Sequence, residues 1–144
     1  MRFSIKILFF TSMLLPMSAF SAPKNIAHFL NDSKALRLES AKEKSAEKKA
    51  FLFKKLEKDL QLTIKEYEKA NPEEGGDAED LVARFSFKLE HVSPLASGKK
   101  PSSKDCEKAK HQIDLEDKSG RGENATLSPG AQEALEWASV LCSK

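Results

Sequence analysis

The chain has little of what usually breaks up or cross-links a small fold. Its 144 residues include six glycines, six prolines, two cysteines and three histidines. No glycine or proline falls in the stretch 33–70, which favours a long helix there. The cysteines are too far apart to form a CxxC motif and the histidines stand alone, so no zinc or redox motif is present. We therefore expect no metal and no cofactor.

An excess of one charge is also missing. The full chain has 24 basic and 22 acidic side chains, but Arg2 and Lys6 lie in a segment predicted to be removed, which leaves 22 of each. Nucleic-acid binding needs a concentrated positive surface, so we expect no nucleic-acid partner. The stretch 34–69 is mildly basic, yet acidic residues are interleaved with its lysines, a pattern typical of a solvated helix face.

The only long apolar run lies near the N-terminus. It follows two basic residues and ends in small ones, with Ala19 and Ser21 at the two positions that signal peptidase reads. The run is shorter than the roughly 20 apolar residues that span a bilayer. We therefore predict a signal peptide over 1–21, cleaved after Ser21, and a single domain over 22–144. The mature chain is expected in the periplasm or outside a bacterial cell, without stable membrane insertion.

The apolar spacing predicts an all-α fold, a small bundle of about four helices. The first is a long charged helix over 33–70, which we expect to pack through its second half. Its first half, rich in Lys, Glu and Ala, is expected to project or to pair with a partner. The packing stripe of the second half has three- and four-residue spacing and consists of Phe53, Leu56, Leu60, Thr63, Tyr67 and Ala70.

Three shorter helices are predicted after the break at Asn71-Pro72. The segment 77–92 has the most regular amphipathic spacing, and 103–117 follows, with Ser102 or Ser103 as its N-cap. The last helix, 129–142, has Ser128 as N-cap and a proline at its first position, where the missing amide costs nothing. Trp137 is expected at the flank of its apolar stripe.

The two cysteines are predicted to form a structural disulfide. Cys106 lies at the beginning of the third predicted helix and Cys142 at the end of the fourth. An antiparallel hairpin brings these two ends together, and an exported chain with an even cysteine count favours oxidation. We expect the bond to act as a staple for a C-terminal helical hairpin.

The sequence ranks functions only coarsely. Our leading hypothesis is an exported, non-enzymatic protein-interaction module of the adaptor or holdase type, which binds another protein or itself through the long charged helix. The alternative is an inhibitor or immunity-type protein that blocks an enzyme with a loop at Gly120 to Thr126, where Arg121 is the candidate contact residue. A small hydrolase whose carboxylates meet in a cleft ranks lower. No catalytic residue is assigned.

Overall fold

The described part of the chain is helical. The structure, a computed structural model, describes residues 26–70, 88–121 and 126–144. The predicted signal peptide, residues 77–87 of the second predicted helix and the loop residues 122–125 lie outside these ranges. Because the described residues form helices and no strand, the all-α prediction is confirmed. The four main helices are α1 (Ile26–Lys42), α2 (Ala46–Ala70), α3 (Ser103–Arg121) and α4 (Pro129–Cys142).

The helices pair as two hairpins that share α4 as their common neighbour. A three-residue connection, 43–45, folds α1 back along α2, and α3 packs against α4. Helix α4 also contacts α1 and α2. Residues 88–92 are helical and continue into a 3-10 turn, Ser93–Leu95, which touches both α2 and α4. The core therefore lies where α1, α2 and α4 meet.

The predicted stripe of α2 forms one wall of this core. Phe53 and Leu56 have no exposed surface, and Leu60 and Thr63 are buried beside them. The Thr63 hydroxyl donates to the carbonyl of Asp59 at 2.8 Å, one helical turn earlier, so its polar group is satisfied inside the core. The alternating three- and four-residue spacing was thus a correct guide to the packed face of α2.

The single helix predicted over 33–70 is wrong: the chain forms two helices. Helix α1 ends at Lys42 and α2 begins at Ala46, although no glycine or proline separates them. The Ser45 hydroxyl accepts from the backbone amide of Lys48 at 3.4 Å, which caps α2. A basic residue in the last turn of α1 and Glu47 in the first turn of α2 suit the two helix dipoles.

The expectation that the first half projects into solvent is also wrong. The inward face of α1 consists of Phe29, Ser33, Leu36 and Ser40, spaced by four, three and four residues, and all four are buried. Half of this face is serine, so a search for apolar residues alone sees too little of it. Serine is small enough to let α1 approach its neighbours closely, and α1 is therefore part of the core.

The C-terminal hairpin follows its sequence signals closely. The Ser128 hydroxyl accepts from the amide of Ala131 at 3.2 Å, and Pro129 opens α4. Ser102 caps α3, accepting from the Asp105 amide at 3.1 Å. Helix α3 runs to Arg121, beyond the predicted end at 117. Cys106 and Cys142 are joined by a disulfide with a Cα to Cα distance of 6.2 Å, as predicted.

Trp137 lies at the centre of the core rather than at its flank. Its side chain has no exposed surface, and its ring packs edge-to-face on Phe53 with 5.3 Å between the centroids. Edge-to-face packing aligns the positive ring edge with the negative ring face and adds to the burial of apolar area. This contact joins α4 to α2.

Candidate functional site

A buried carboxylate joins α1 to α4. Glu133 accepts hydrogen bonds from the Ser33 hydroxyl at 2.8 Å and from Arg37 Nε and Nη2 at 2.9 and 3.3 Å. Trp137 Nε1 donates to the same Ser33 hydroxyl at 2.9 Å, and Arg37 Nη2 also pairs with Glu136 at 2.6 Å. Each of these groups is held by the others. The cluster therefore positions two helices, and its carboxylate is engaged on both oxygens.

A second buried cluster joins the segment 88–92 to α3 and α4. Lys88 Nζ lies 3.0 Å from Asp117 Oδ1, and both side chains are almost fully buried. Asp117 accepts from the Ser128 hydroxyl at 2.7 Å and from the Ser128 amide at 3.1 Å. Burial alone raises the pKa of the Asp117 carboxyl, but the hydrogen bonds from Ser128 and Lys88, with the Lys88 charge, outweigh it and lower the pKa below 3.8.

This cluster predicts a pH-dependent contribution to stability. A carboxyl whose pKa is lowered on folding stabilises the protein above its unfolded pKa, and that contribution is lost as pH falls through the folded pKa. Asp117→Asn, which keeps the shape but loses the charge, should cost about 2 kcal/mol at pH 7. The difference between variant and wild type should shrink as the pH falls below about 4. Urea unfolding from pH 7 to pH 3 measures it.

The matched control for this prediction is on the same helix. Asp114 pairs with Lys118 at 2.7 Å across one turn, but the Lys118 and Asp114 side chains keep 48 % and 39 % of their surface exposed. Asp114→Asn should change the free energy of unfolding by no more than about 0.5 kcal/mol at pH 7. Equal effects of the two substitutions at every pH would contradict the assignment of Asp117 as the pH-sensitive group.

An open groove of about 550 Å³ lies between α3 and the segment that precedes it. Its lining is polar and of mixed sign, with Glu90 and Asp105 opposed by Lys100 and Lys108. Two carboxylates in a cleft are what the hydrolase hypothesis requires. However, Asp105 is engaged in the cap of α3, since it accepts from the Ser102 hydroxyl at 2.6 Å. His91, at the groove edge, lies 2.8 Å from Glu116.

The outward face of α2 carries a concentrated positive charge. At 3.6 residues per turn, the side chains that point away from the core fall within one stripe along the helix. Among the α2 side chains that the structure describes, eleven are exposed, and six of these are lysines; Glu47, Gln61 and Glu66 also lie on the exposed side. We call the lysines and the two large apolar side chains of this side the basic face of α2; it consists of Lys48, Phe51, Lys54, Lys55, Lys58, Leu62, Lys65 and Lys69.

Two large apolar side chains lie within this face. Phe51 is 69 % exposed and Leu62 is 49 % exposed, and they are three helical turns apart on the same stripe. Glu47 lies one helical turn before Phe51 and Glu66 one turn after Leu62, so each apolar residue has one acidic neighbour on the same side of α2. Lys48 contacts Glu43 at 3.6 Å. Three exposed lysines, Lys54, Lys55 and Lys58, therefore lie between the two apolar residues along α2.

One lysine of α2 faces inward and has a different role. Lys49 is buried, and its Nζ donates to the carbonyls of Val140 and Ser143 at 3.1 and 3.3 Å. It also bonds the Ser143 hydroxyl at 2.7 Å. A cation at the carboxyl end of a helix satisfies unpaired carbonyls and suits the helix dipole. Lys49 therefore fixes the end of α4 on α2, while the neighbouring lysines stay on the surface.

The structure describes some of the other residues that were predicted to be important, but not all of them. The predicted disulfide is formed, so neither cysteine is a free thiol. The side chain of Arg121 and loop residues 122–125 lie outside the described part, so the inhibitor loop stays a prediction. Within residues 26–70, 88–121 and 126–144, no cluster of His, Cys, Asp and Glu is arranged to hold a metal ion. Nor does any helix in these ranges combine the length and apolarity that crossing a bilayer requires.

The sequence reasoning missed both buried polar clusters and the basic face. Ser33, Lys88 and Asp117 look like surface residues because polar and charged side chains are seldom buried without partners. The basic face could have been found, since projecting 46–70 on a helical wheel separates the lysine stripe from the apolar one. A charge count over the whole segment 34–69 does not distinguish the exposed side of the helix from the packed side, so it did not reveal the lysine stripe.

Comparisons with known proteins give no further guide. No protein-family model, no curated protein and no solved structure matches this chain.

Proposed function

We propose that this chain is an exported, non-enzymatic protein-interaction module of the adaptor or holdase type, and that it docks a partner protein on the basic face of α2. The observation that carries the proposal is the exposure of Phe51 and Leu62 on one stripe of a helix whose opposite stripe builds the core. A single exposed leucine is ordinary in a folded protein. Two large apolar side chains on one rigid face are a natural anchor for a partner.

The packing of α2 supports a docking role because the side chains that hold the helix in the fold differ from those that a partner would contact. The core side chains and Lys49 hold the helix from behind. The outward side chains can therefore contact a partner without any rearrangement of the fold, which lowers the entropic cost of binding. A preformed surface of this kind suits an adaptor.

Two features support export. The disulfide between Cys106 and Cys142 is of the kind that forms and persists in oxidising compartments such as the bacterial periplasm. The N-terminal segment has the order of a signal peptide. Both features support an interaction in the periplasm or outside the cell.

Site-specific photo-cross-linking in the native host tests the proposed docking face. The photoreactive amino acid p-benzoylphenylalanine replaces Phe51 in the full chain, and a second strain carries it at Gln132, an exposed position on α4. We expect a discrete adduct from position 51 and none from position 132. Mass spectrometry of the adduct identifies the partner.

The pattern of adducts separates the alternatives. One stoichiometric partner at position 51 fits an adaptor, and many unrelated envelope proteins at that position fit a holdase. No adduct at position 51, or the same adducts at both positions, would refute docking on α2. Adducts formed only from a probe at position 121 would favour the inhibitor hypothesis instead.

A further inference from the structure

We infer that the partner surface is an acidic, amphipathic helix of another protein, which places carboxylates against the lysines of the basic face and apolar side chains against Phe51 and Leu62. This inference rests on the proposed function, because it specifies the chemistry of the partner that docks on α2. It is carried by charge complementarity and by the spacing of the two apolar residues.

The charge of the basic face is local and does not reflect a basic protein. The predicted mature chain has equal numbers of basic and acidic side chains. The fold nevertheless gathers six exposed lysines on one side of α2. Among the described residues, Lys54, Lys55, Lys58 and Lys65 have no carboxylate within ion-pair distance. An acidic partner would therefore gain from these charges without displacing an ion pair between them and any carboxylate of the described residues.

The spacing of the apolar residues favours a helical partner. Phe51 and Leu62 are eleven residues apart, which is about 16 Å along the helix axis. A second helix lying along α2 repeats its own side chains at the same interval, so residues eleven apart on it can meet both anchors. The lysines between and beside the anchors then face the flanks of that helix, where acidic residues of an amphipathic partner lie.

The other occupants of a basic helix face fit less well. A helix that binds a membrane surface inserts a broad apolar face, but the broad apolar face of α2 is already buried in the core. The basic face has a single aromatic residue and no arginine, which leaves it without stacking platforms or bidentate phosphate contacts for nucleic acid. A second copy of the chain would bring lysine against lysine and be repelled.

Synthetic peptides test the inference with the oxidised mature protein. One helical peptide has two leucines eleven residues apart, flanked by glutamates, and its counterpart has glutamine at every glutamate position. Fluorescence anisotropy gives Kd at 50 and 300 mM salt. We expect the glutamate peptide to bind at least about tenfold more tightly, and the added salt to remove most of that difference because screening weakens surface attraction.

Matched charge reversals locate the binding surface. Lys54→Glu with Lys58→Glu should weaken binding of the glutamate peptide by about tenfold or more, because two attractions become repulsions. Lys104→Glu with Lys108→Glu makes the same change at the same spacing on exposed positions of α3, and should leave the Kd within about twofold. Circular dichroism confirms that both variants fold.

Equal affinity for the two peptides, or no binding of either below 1 mM, would overturn the inference. So would binding to vesicles of phosphatidylethanolamine and phosphatidylglycerol at 3:1 that the Lys54 and Lys58 reversals abolish, since the surface would then be a lipid site. A cross-linked partner at position 51 whose contact segment is not acidic overturns this inference alone. The absence of any adduct there refutes the proposed function itself.

Discussion

Replacing Trp137 with alanine is expected to lower the free energy of unfolding by about 4 kcal/mol, and the melting temperature by about 15 °C. The tryptophan has no exposed surface, so its removal leaves a large cavity where α2 and α4 meet. It also removes the edge-to-face contact with Phe53 and the hydrogen bond to Ser33. Thermal unfolding followed by far-ultraviolet circular dichroism measures the effect.

Two further variants make this prediction specific. Trp137→Phe keeps most of the ring but removes the indole donor, and should cost about 2 kcal/mol; it remains measurable if the alanine variant fails to fold. Phe51→Ala removes an aromatic side chain that is 69 % exposed, and should change stability by no more than about 0.5 kcal/mol. Similar losses from Trp137→Ala and Phe51→Ala would show that α4 is not the centre of the core.

Removing the disulfide is expected to cost about 3 to 4 kcal/mol. The bond closes a loop of 36 residues between the start of α3 and the end of α4, and it restricts the unfolded chain. Serine at both Cys106 and Cys142 should lower the melting temperature by about 10 to 15 °C. The helix signal at low temperature should persist, because Lys49 and the Glu133 cluster still hold α4 on α1 and α2.

Reduction provides the control for this prediction. Dithiothreitol should lower the melting temperature of the wild type toward that of the double variant, and should leave the double variant unchanged. A wild type that does not respond to reduction, or that contains free thiols by mass spectrometry after alkylation, would contradict the staple.

The C-terminal hairpin was predictable because its signals are local. Ser128 and Pro129 mark the start of α4 through backbone hydrogen bonding that involves neighbouring residues only. The cysteine pairing followed from the ends of two adjacent helices. The cap depends only on residues close in sequence, and the cysteine pairing depends only on the short connection between α3 and α4. Neither prediction required knowledge of how α1 and α2 pack.

The break between α1 and α2 was missed because its cause is mostly tertiary. A run without glycine or proline can continue as one helix, and a serine such as Ser45 can lie inside a helix at modest cost. The chain turns there because folding back buries Phe29 and Leu36 against the remaining helices. The gain from that burial outweighs the few helical hydrogen bonds lost at 43–45.

The candidate docking surface also depends on both local sequence and tertiary packing. The lysines of α2 were visible in the sequence, but their interpretation required knowing which side of α2 packs. Once Phe53 and Leu56 are placed in the core, the stripe opposite them must face solvent. The inward-facing Lys49 shows why charge alone was not enough, since it is a lysine of the same helix with a buried structural role.

The sequence by itself determined the helical class, the packed stripe of α2, the cap of α4 and the cysteine pairing, because helix periodicity and capping act over a few residues. Only the tertiary structure decided that α1 folds back, that Trp137 is central, and that Glu133 and Asp117 are buried with their partners. These features join residues up to about a hundred positions apart, such as Ser33 and Glu133. Burying a charge is favourable only when a partner is already in place, and no local pattern records where that partner lies.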